Sequence, residues 1–128
     1  MEKNKNKQSI AEGLISYILP QGMSDWFEIV NYYEEPNPDT SFLDTLYDKI
    51  LHVHLDERLS PDAEKLGLKP NGFTETKLVK DYPLRNRKVL LHVRRRRYLD
   101  KNNRNVVLQN YKIAADGTKM SVEYGLFF

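Results

Sequence analysis

Cysteine is absent from this sequence of 128 residues, which excludes disulfide bonds, thiolate zinc sites and cysteine nucleophiles. No apolar run approaches the roughly 20 residues that a membrane-spanning helix needs, and residues 1–9 lack the apolar segment of a signal peptide. We therefore expect a cytoplasmic protein that makes no membrane contact. Glycine-rich phosphate loops and nucleophile elbows are also missing, so the sequence predicts no enzyme activity and no cofactor.

Charge is distributed unevenly along the chain, although the formal net charge is only +2. Residues 1–64 contain thirteen acids and five bases, a net charge of −8, whereas residues 65–128 contain fifteen bases and five acids, a net charge of +10. Such a separation can orient a protein on a polyanion and speed their encounter. Two halves of one domain that attract each other would give the same pattern.

The first part of the chain predicts a tail and a helix. Residues 1–8 are rich in lysine and asparagine and predict a disordered tail, so a single α+β domain is expected over residues 9–128. Ser9 and Glu12 match a capping box, and apolar residues at helical spacing follow them until Pro20. These residues, Ile10, Leu14, Ile15, Ile18 and Leu19, are expected to form one buried stripe.

Strands are predicted next. Residues 23–26 predict a helical turn, and residues 27–33 have the aromatic and β-branched content of a strand, with a helix as the alternative. Residues 49–57 alternate apolar and polar side chains, as a half-buried strand does. Residues 58–72 contain two prolines and two glycines and predict an irregular excursion, with a helical turn near residues 62–66.

The second half of the chain predicts a hairpin and a closing helix. Residues 74–84 predict a strand that a turn at residues 85–87 joins to residues 88–99, and a short strand follows over residues 106–111. A C-terminal helix is expected after a cap at Thr118 or Ser121. The predicted fold is therefore α+β, a small and mostly antiparallel sheet of about four or five strands with an N-terminal helix and a short C-terminal helix.

The most distinctive stretch is KVLLHVRRRRYL, residues 88–99, in which an apolar strand runs directly into four arginines. Guanidinium groups bind phosphate in a bidentate manner, so this basic hairpin predicts a nucleic-acid site. The predicted contact residues are Arg85, Arg87, Lys88, His92, Arg94, Arg95, Arg96, Arg97 and Tyr98. The alternative is an edge strand whose charges only block pairing with other sheets.

Alternate residues of a strand face opposite ways, so four adjacent arginines cannot all contact one DNA backbone. Arg95 and Arg97 fall on the face of Val89 and Leu91, whereas Arg94 and Arg96 fall on the other. We expect the second pair, together with Arg85 and Arg87, to bind DNA and the first pair to bridge to the acidic half of the chain.

Two further sets of residues carry weaker signals. His52, His54 and Asp56 share one face of a predicted strand at a spacing known from metal sites, but any polar strand face shows such residues, so no metal is assigned. Phe127 and Phe128 end the last helix and predict a packing surface for this chain or another one. The oligomeric state stays open.

Five segments occur along the chain in the order LPQGMSDWFEIV, HVHLDE, NGFTE, VKDYPLRNRKVLLHVRRRRYLD and DGTKMSVEY. Together they resemble the N-terminal region of insertion-sequence transposases of the ISAon type. The resemblance runs from about Leu14 to the C-terminus. Its most specific part is DYPLRNRKVLLHVRRRRYLD. The resemblance implies a noncatalytic region that recognises transposon-end duplex DNA, with the recombinase core in a separate polypeptide.

The same resemblance bears on zinc and on partners. Tyr98 and Leu99 stand where related transposases have a zinc-binding cysteine, which implies a degenerate zinc-ribbon-like hairpin that packing holds without zinc. The alternative function is a protein-interaction module. It would dock the catalytic transposase polypeptide, or a second copy of this chain, through Phe127, Phe128 and the arginine strand.

Overall fold

A computed structural model describes residues 2–38, 47–115 and 118–127. Its mixed content confirms the predicted α+β class, with an N-terminal helix, a short C-terminal helix and mostly antiparallel strands. In the part that is described, no helix is long and apolar enough to cross a membrane. The elements in chain order are α1 (Glu2–Ile18), α2 (Met23–Trp26), β1 (Phe27–Pro36), β2 (Lys49–Glu57), β3 (Lys69–Phe73), β4 (Lys77–Leu84), β5 (Arg87–Arg94), β6 (Arg96–Leu99), β7 (Asn105–Val106) and α3 (Val122–Phe127).

The strands form two sheets, whereas the sequence predicted a single one. The large sheet has the order β1-β2-β5-β4 and the small sheet has the order β3-β6-β7. Strands β2 and β5 are parallel, and the other paired strands are antiparallel. The predicted hairpin of β4 and β5 is confirmed, with Arg85 in the left-handed region at its turn (φ 59°). A parallel pair needs a long connection, which here contains β3 and β4.

The core lies on one face of the large sheet. Val53 and Leu55 of β2 are buried there, as the alternation in that strand predicted, together with Leu91 and Val93 of β5. Leu19, just after α1, and other buried apolar residues cover them. The opposite, outer face of the sheet carries the polar side chains of the same strands, including the histidines.

Helix α1 departs from the prediction at both its start and its buried face. It begins at Glu2, so residues 2–8 are helical where a tail was predicted, and Ser9 lies inside the helix. Lysine, glutamate and glutamine are good helix formers, so the extension costs little. Leu19 is buried and Ile15 packs on the core, but Ile10 and Leu14 are 71% and 61% exposed. Ile18 is 46% exposed, so the prediction of one buried stripe is wrong at Ile10, Leu14 and Ile18.

The predicted strand over residues 88–99 is broken at Arg95, where the chain passes from the large sheet into the small one. Strand β6 pairs with β3, which the sequence had placed in an irregular excursion. Gly72 lies at a bulge in β3 with φ 75°, a conformation that favours glycine. The strand predicted over residues 106–111 is reduced to Asn105–Val106.

The C-terminal helix α3 is capped as predicted, because the Oγ atom of Ser121 accepts a hydrogen bond from the Tyr124 amide at 3.2 Å. The same hydroxyl donates to Asp81 Oδ1 at 2.7 Å. Burial raises the pKa of Asp81, while this hydrogen bond opposes the rise. The side chain of Phe127 and the whole of Phe128 lie outside the described residues, so the predicted packing surface there stays a prediction.

Candidate nucleic-acid interface

The parallel register of β2 and β5 brings the acidic end of β2 beside the arginine segment. Asp56 is the register partner of Arg94. The Nε and Nη2 atoms of Arg94 donate to the two carboxylate oxygens of Asp56 at 2.7 and 2.6 Å, a bidentate ion pair. Hydrogen bonding to Asp56 raises the pKa of Arg94 further. Arg94, an expected DNA contact, is thus engaged by an internal carboxylate.

Glu57, the next residue of β2, binds the next two arginines. Arg95 Nη1 lies 3.4 Å from Glu57 Oε2, and the backbone N–H of Arg96 donates to Glu57 Oε1 at 2.8 Å. Arg96 Nε also donates to the Glu57 carbonyl oxygen at 2.8 Å. Burial raises the pKa of Glu57 and lowers that of Arg95, so the loss of water outweighs their mutual attraction. These two acids and three arginines form the arginine–carboxylate cluster.

The arginine–carboxylate cluster also joins the two sheets through an aromatic ring. The guanidinium carbons of Arg94 and Arg96 lie 4.3 and 4.6 Å from the centroid of Phe73, the last residue of β3. Cation–π attraction of this kind is worth about 0.5–1 kcal/mol at exposed sites and more where water is excluded. Phe73 therefore helps to hold β3 against the end of the large sheet.

Tyr98 does not lie where the sequence prediction needed it. Its side chain is 1% exposed, and its hydroxyl oxygen accepts a hydrogen bond from the Ser60 amide at 3.0 Å. Arg95 is also inside, with 11% of its side chain exposed, and its guanidinium donates to the backbone oxygens of Leu108 and Tyr111. Neither Tyr98 nor Arg95 reaches a surface where it would contact DNA.

The remaining predicted bases lie at two distant ends of the hairpin. Arg85 and Lys88 lie on either side of the first residue of β5, Arg87. Arg87 Nε donates a hydrogen bond to Glu34 at 2.7 Å, and this bond lowers the pKa of the Glu34 carboxyl. Arg94 lies seven residues further along the strand, a span of roughly 23 Å. The structure does not bring these groups into one site.

Arg97 differs from its three neighbours because it is exposed. It lies on the outer face of the small sheet, as does Lys69, the register partner of Leu99. Lys101 and Arg104 are exposed in the turn between β6 and β7. None of these four bases forms an ion pair or a side-chain hydrogen bond with another residue of the described ranges. We call Lys69, Arg97, Lys101 and Arg104 the basic face.

Of the basic face, sequence reasoning named only Arg97 as a possible DNA contact, and its preference for Arg97 as a bridge to the acidic half is wrong, because Arg97 is exposed and pairs with no acid of the described ranges. Lys69 was missed because β3 was not predicted. Lys101 and Arg104 were visible as bases in a turn beside the arginine segment, which is the signal that could have found them.

All three histidines of the chain meet on the outer face of the large sheet. His54 and His92 are register partners, and their rings stack with centroids 4.1 Å apart and planes 10° apart. A carboxylate only accepts hydrogen bonds, so His52 Nε2–H donates to Glu35 at 2.8 Å. The other ring nitrogen of His52 then accepts from His92 Nε2–H at 2.7 Å.

The surroundings of His92 favour the uncharged state of its ring. Burial lowers the pKa of His92, and charge on His54 or His52 lowers it further. His54 Nε2 is buried and has no hydrogen-bond partner within the described ranges. Protonation therefore works against both burial and mutual repulsion in the group.

The metal-site spacing of His52, His54 and Asp56 does not become a metal site in the fold. Both ring nitrogens of His52 are already hydrogen-bonded, and Asp56 is bound by Arg94. The parallel rings of His54 and His92 direct their nitrogens along separate lines. Across residues 2–38, 47–115 and 118–127, no three histidines or acids are grouped so that they would hold a metal ion.

Replacing Arg95 by methionine tests the arginine–carboxylate cluster. The change leaves Glu57 buried without its charged partner, so we expect the free energy of unfolding in urea to fall by about 3–5 kcal/mol. Arg97→Met, which removes an exposed arginine two residues away, is the matched control and should change stability by at most about 0.5 kcal/mol. Equal losses in the two variants would contradict the structural role of Arg95.

The histidine group predicts a pH dependence of stability. The pKa of His92 lies below its ordinary value of 6.5, so the unfolded chain binds more protons there than the folded one. The contribution of neutral His92 to the free energy of unfolding is present above about pH 6.5 and is lost as the pH falls below that value. Urea unfolding at pH 7.5 and 5.5 should show this loss. His92→Gln, which keeps a donor for His52, should reduce the loss; an unchanged loss would assign it to other groups.

The fold and its two polar surfaces, the basic face and the histidine group, were compared with known proteins. No protein-family model, no curated protein and no solved structure matches this chain.

Proposed function

We propose that the chain is a noncatalytic DNA-binding module whose basic face contacts the phosphate backbone of duplex DNA. The observation that carries the proposal is the exposure of Lys69, Arg97, Lys101 and Arg104 without internal partners in the described part of the chain. Such bases bind phosphate without first breaking an ion pair, and release of counterions from DNA then drives association.

Arg94, Arg95 and Arg96 have a supporting role in this proposal. Their bonds to Asp56 and Glu57 fix the path of the chain into β6, including the backbone N–H of Arg96. A backbone held in this way presents Arg97 in one orientation, so less conformational entropy is lost on binding. Of the four arginines, Arg97 would thus contact DNA phosphate directly, and Arg94, Arg95 and Arg96 would hold Arg97 in position.

The resemblance to ISAon-type transposases supports a narrower form of the proposal, in which the module recognises transposon ends for a separate catalytic polypeptide. Phosphate contacts supply affinity and register but carry no sequence information. Asn71 and Asn105, hydrogen-bonded to each other at 2.9 Å on the small sheet, are candidates for base reading, since asparagine pairs well with adenine. No catalytic residue is assigned to this chain.

DNA binding is tested by the dependence of affinity on salt. Four phosphate contacts predict a slope of about −4 for log K against log salt, measured by fluorescence anisotropy with a labelled duplex. Arg97→Ala should make that slope shallower by about 1. Lys119→Ala removes an exposed lysine from the segment before α3 and is the matched control. A flat salt response, or equal effects of the two variants, would overturn the proposal.

A second candidate function is docking of the catalytic transposase polypeptide, which the apolar stripe of α1 favours. Ile10, Leu14 and Tyr17 are 71%, 61% and 88% exposed, and their spacing places them on one side of the helix. A helix with such a stripe suits a hydrophobic groove on a partner. We propose the catalytic polypeptide as that partner because the resemblance implies that the two act together.

Light scattering of this chain mixed with the catalytic polypeptide, in the absence of DNA, tests the docking. We expect a stable complex that Leu14→Asp disrupts. Leu66→Asp is a matched control because Leu66 is 58% exposed, close to the 61% of Leu14. Two unassociated species, or the same loss with either variant, would remove the docking function and leave DNA binding untouched.

A further inference from the structure

A small polar pocket lies beside the histidine group, on the outer face of the large sheet. Its volume is about 180 Å³, and its polar lining comprises Asn31, His54, Asp56, Thr76, His92 and Arg94. The strand register explains the arrangement, because Asn31, His54 and His92 lie opposite one another in one row across the sheet. Asp56 and Arg94 form the next row on the same face. We call this the histidine–arginine pocket.

Hydrogen-bond donors dominate the histidine–arginine pocket. Asn31 offers an amide, Thr76 a hydroxyl and Arg94 the Nη1 group that Asp56 does not engage, and the ring of His54 also has an N–H. The single carboxylate, Asp56, is already satisfied by the bidentate pair with Arg94. A ligand that only accepts hydrogen bonds therefore fits the pocket better than one that donates them.

Protonation of a histidine would complete this set of donors. In the neutral group, His92 Nε2–H is committed to His52, so the other nitrogen of His92 carries a lone pair that repels an anion. A proton there changes the lone pair into a charged donor. The Asp56–Arg94 pair is neutral as a whole, so one proton on His54 or His92 gives the pocket a charge of +1.

We propose that the histidine–arginine pocket binds a tetrahedral oxyanion, a phosphate group, when His54 or His92 is protonated. Free phosphate and a phosphate of a nucleic-acid backbone share this chemistry. The site is separate from the basic face, so the proposal stands whether or not that face binds DNA. A metal ion suits the pocket less well, because the stacked rings of His54 and His92 do not converge on one point.

The surroundings of the His54–His92 pair are consistent with a site that responds to protons. Leu78, the register neighbour of His92 on β4, is 47% exposed and carries no charge that would oppose a proton on His92. The titratable and charged groups that face the pair from the four strands are Tyr33, Glu35, His52, Asp56, Arg94 and, one row further along β4, Lys80.

Proton NMR of the histidine rings tests the proposal, since the chain has three histidines and so three sets of ring signals. Sulfate is the probe because its charge is the same at pH 5.5 and 7.5. At pH 5.5 we expect saturable shifts of the His54 and His92 signals, and binding at least severalfold weaker at pH 7.5, because the charged ring donor is lost as the pH rises. Sodium chloride at equal ionic strength is the control.

Variants at exposed positions keep the test independent of folding. Asn31→Ala and Thr76→Val remove donors from exposed residues of the pocket and should each weaken sulfate binding severalfold. Asn102→Ala, which replaces an exposed asparagine in the β6–β7 turn, is the control and should leave sulfate binding unchanged. Shifts that do not saturate, that chloride reproduces, or that ignore both pocket variants would overturn the proposal.

The source of the phosphate is distinguished by adding duplex DNA to the Arg97→Ala protein at pH 5.5. Shifts of His54 and His92 that depend on Thr76 would mean that the pocket takes a backbone phosphate. Sulfate and inorganic phosphate binding without any response to DNA would mean that the pocket takes a free anion. Either result supports the site, whereas the absence of saturable sulfate binding removes it.

Discussion

Two adjacent carboxylates hold three consecutive arginines, and the join between the two sheets depends on that contact. Asp56 and Glu57 end β2 at the point where the parallel strand β5 delivers its arginines. Glu57 satisfies the Arg96 amide just after the strand break, a group that would otherwise lose its hydrogen bond in a partly buried place. The cluster is costly to bury, as the pKa shifts of Glu57 and Arg95 show, yet it fixes where the chain leaves one sheet and enters the other.

The arginine–carboxylate cluster explains one part of the uneven charge of the sequence. Attraction between the acidic and basic halves accounts for Arg94, Arg95 and Arg96, which bind Asp56 and Glu57. It does not account for the basic face, whose four members have no such partner in the described part of the chain. Attraction between the two halves therefore explains only the arginines that bind Asp56 and Glu57. A run of identical side chains divides into structural and exposed members only when the strand break at Arg95 is known.

Much of the large sheet could be predicted from sequence, because local patterns determine it. The alternation in β2 gave its bounds, and the apolar run after a basic turn gave the β4–β5 hairpin. Strand β3 could not be predicted, because Lys-Pro-Asn-Gly has the composition of a turn and becomes a strand only by pairing with β6. The contacts of the arginines and the stacking of His54 on His92 arise from the parallel register, which joins residues 38 apart. No local pattern carries that information.

The position of β6 in the small sheet affects how readily proteases can cleave the chain. Four consecutive arginines are an attractive cleavage sequence for trypsin-like proteases, which need a segment that can leave its surroundings and extend into their active site. Here Arg96 pairs with Phe73 of β3, the side chains of Arg94, Arg95 and Arg96 are bound, and the Arg95 carbonyl accepts from the Thr74 amide at 2.8 Å. The folding that brings acids to these arginines thus also shields the peptide bonds between them.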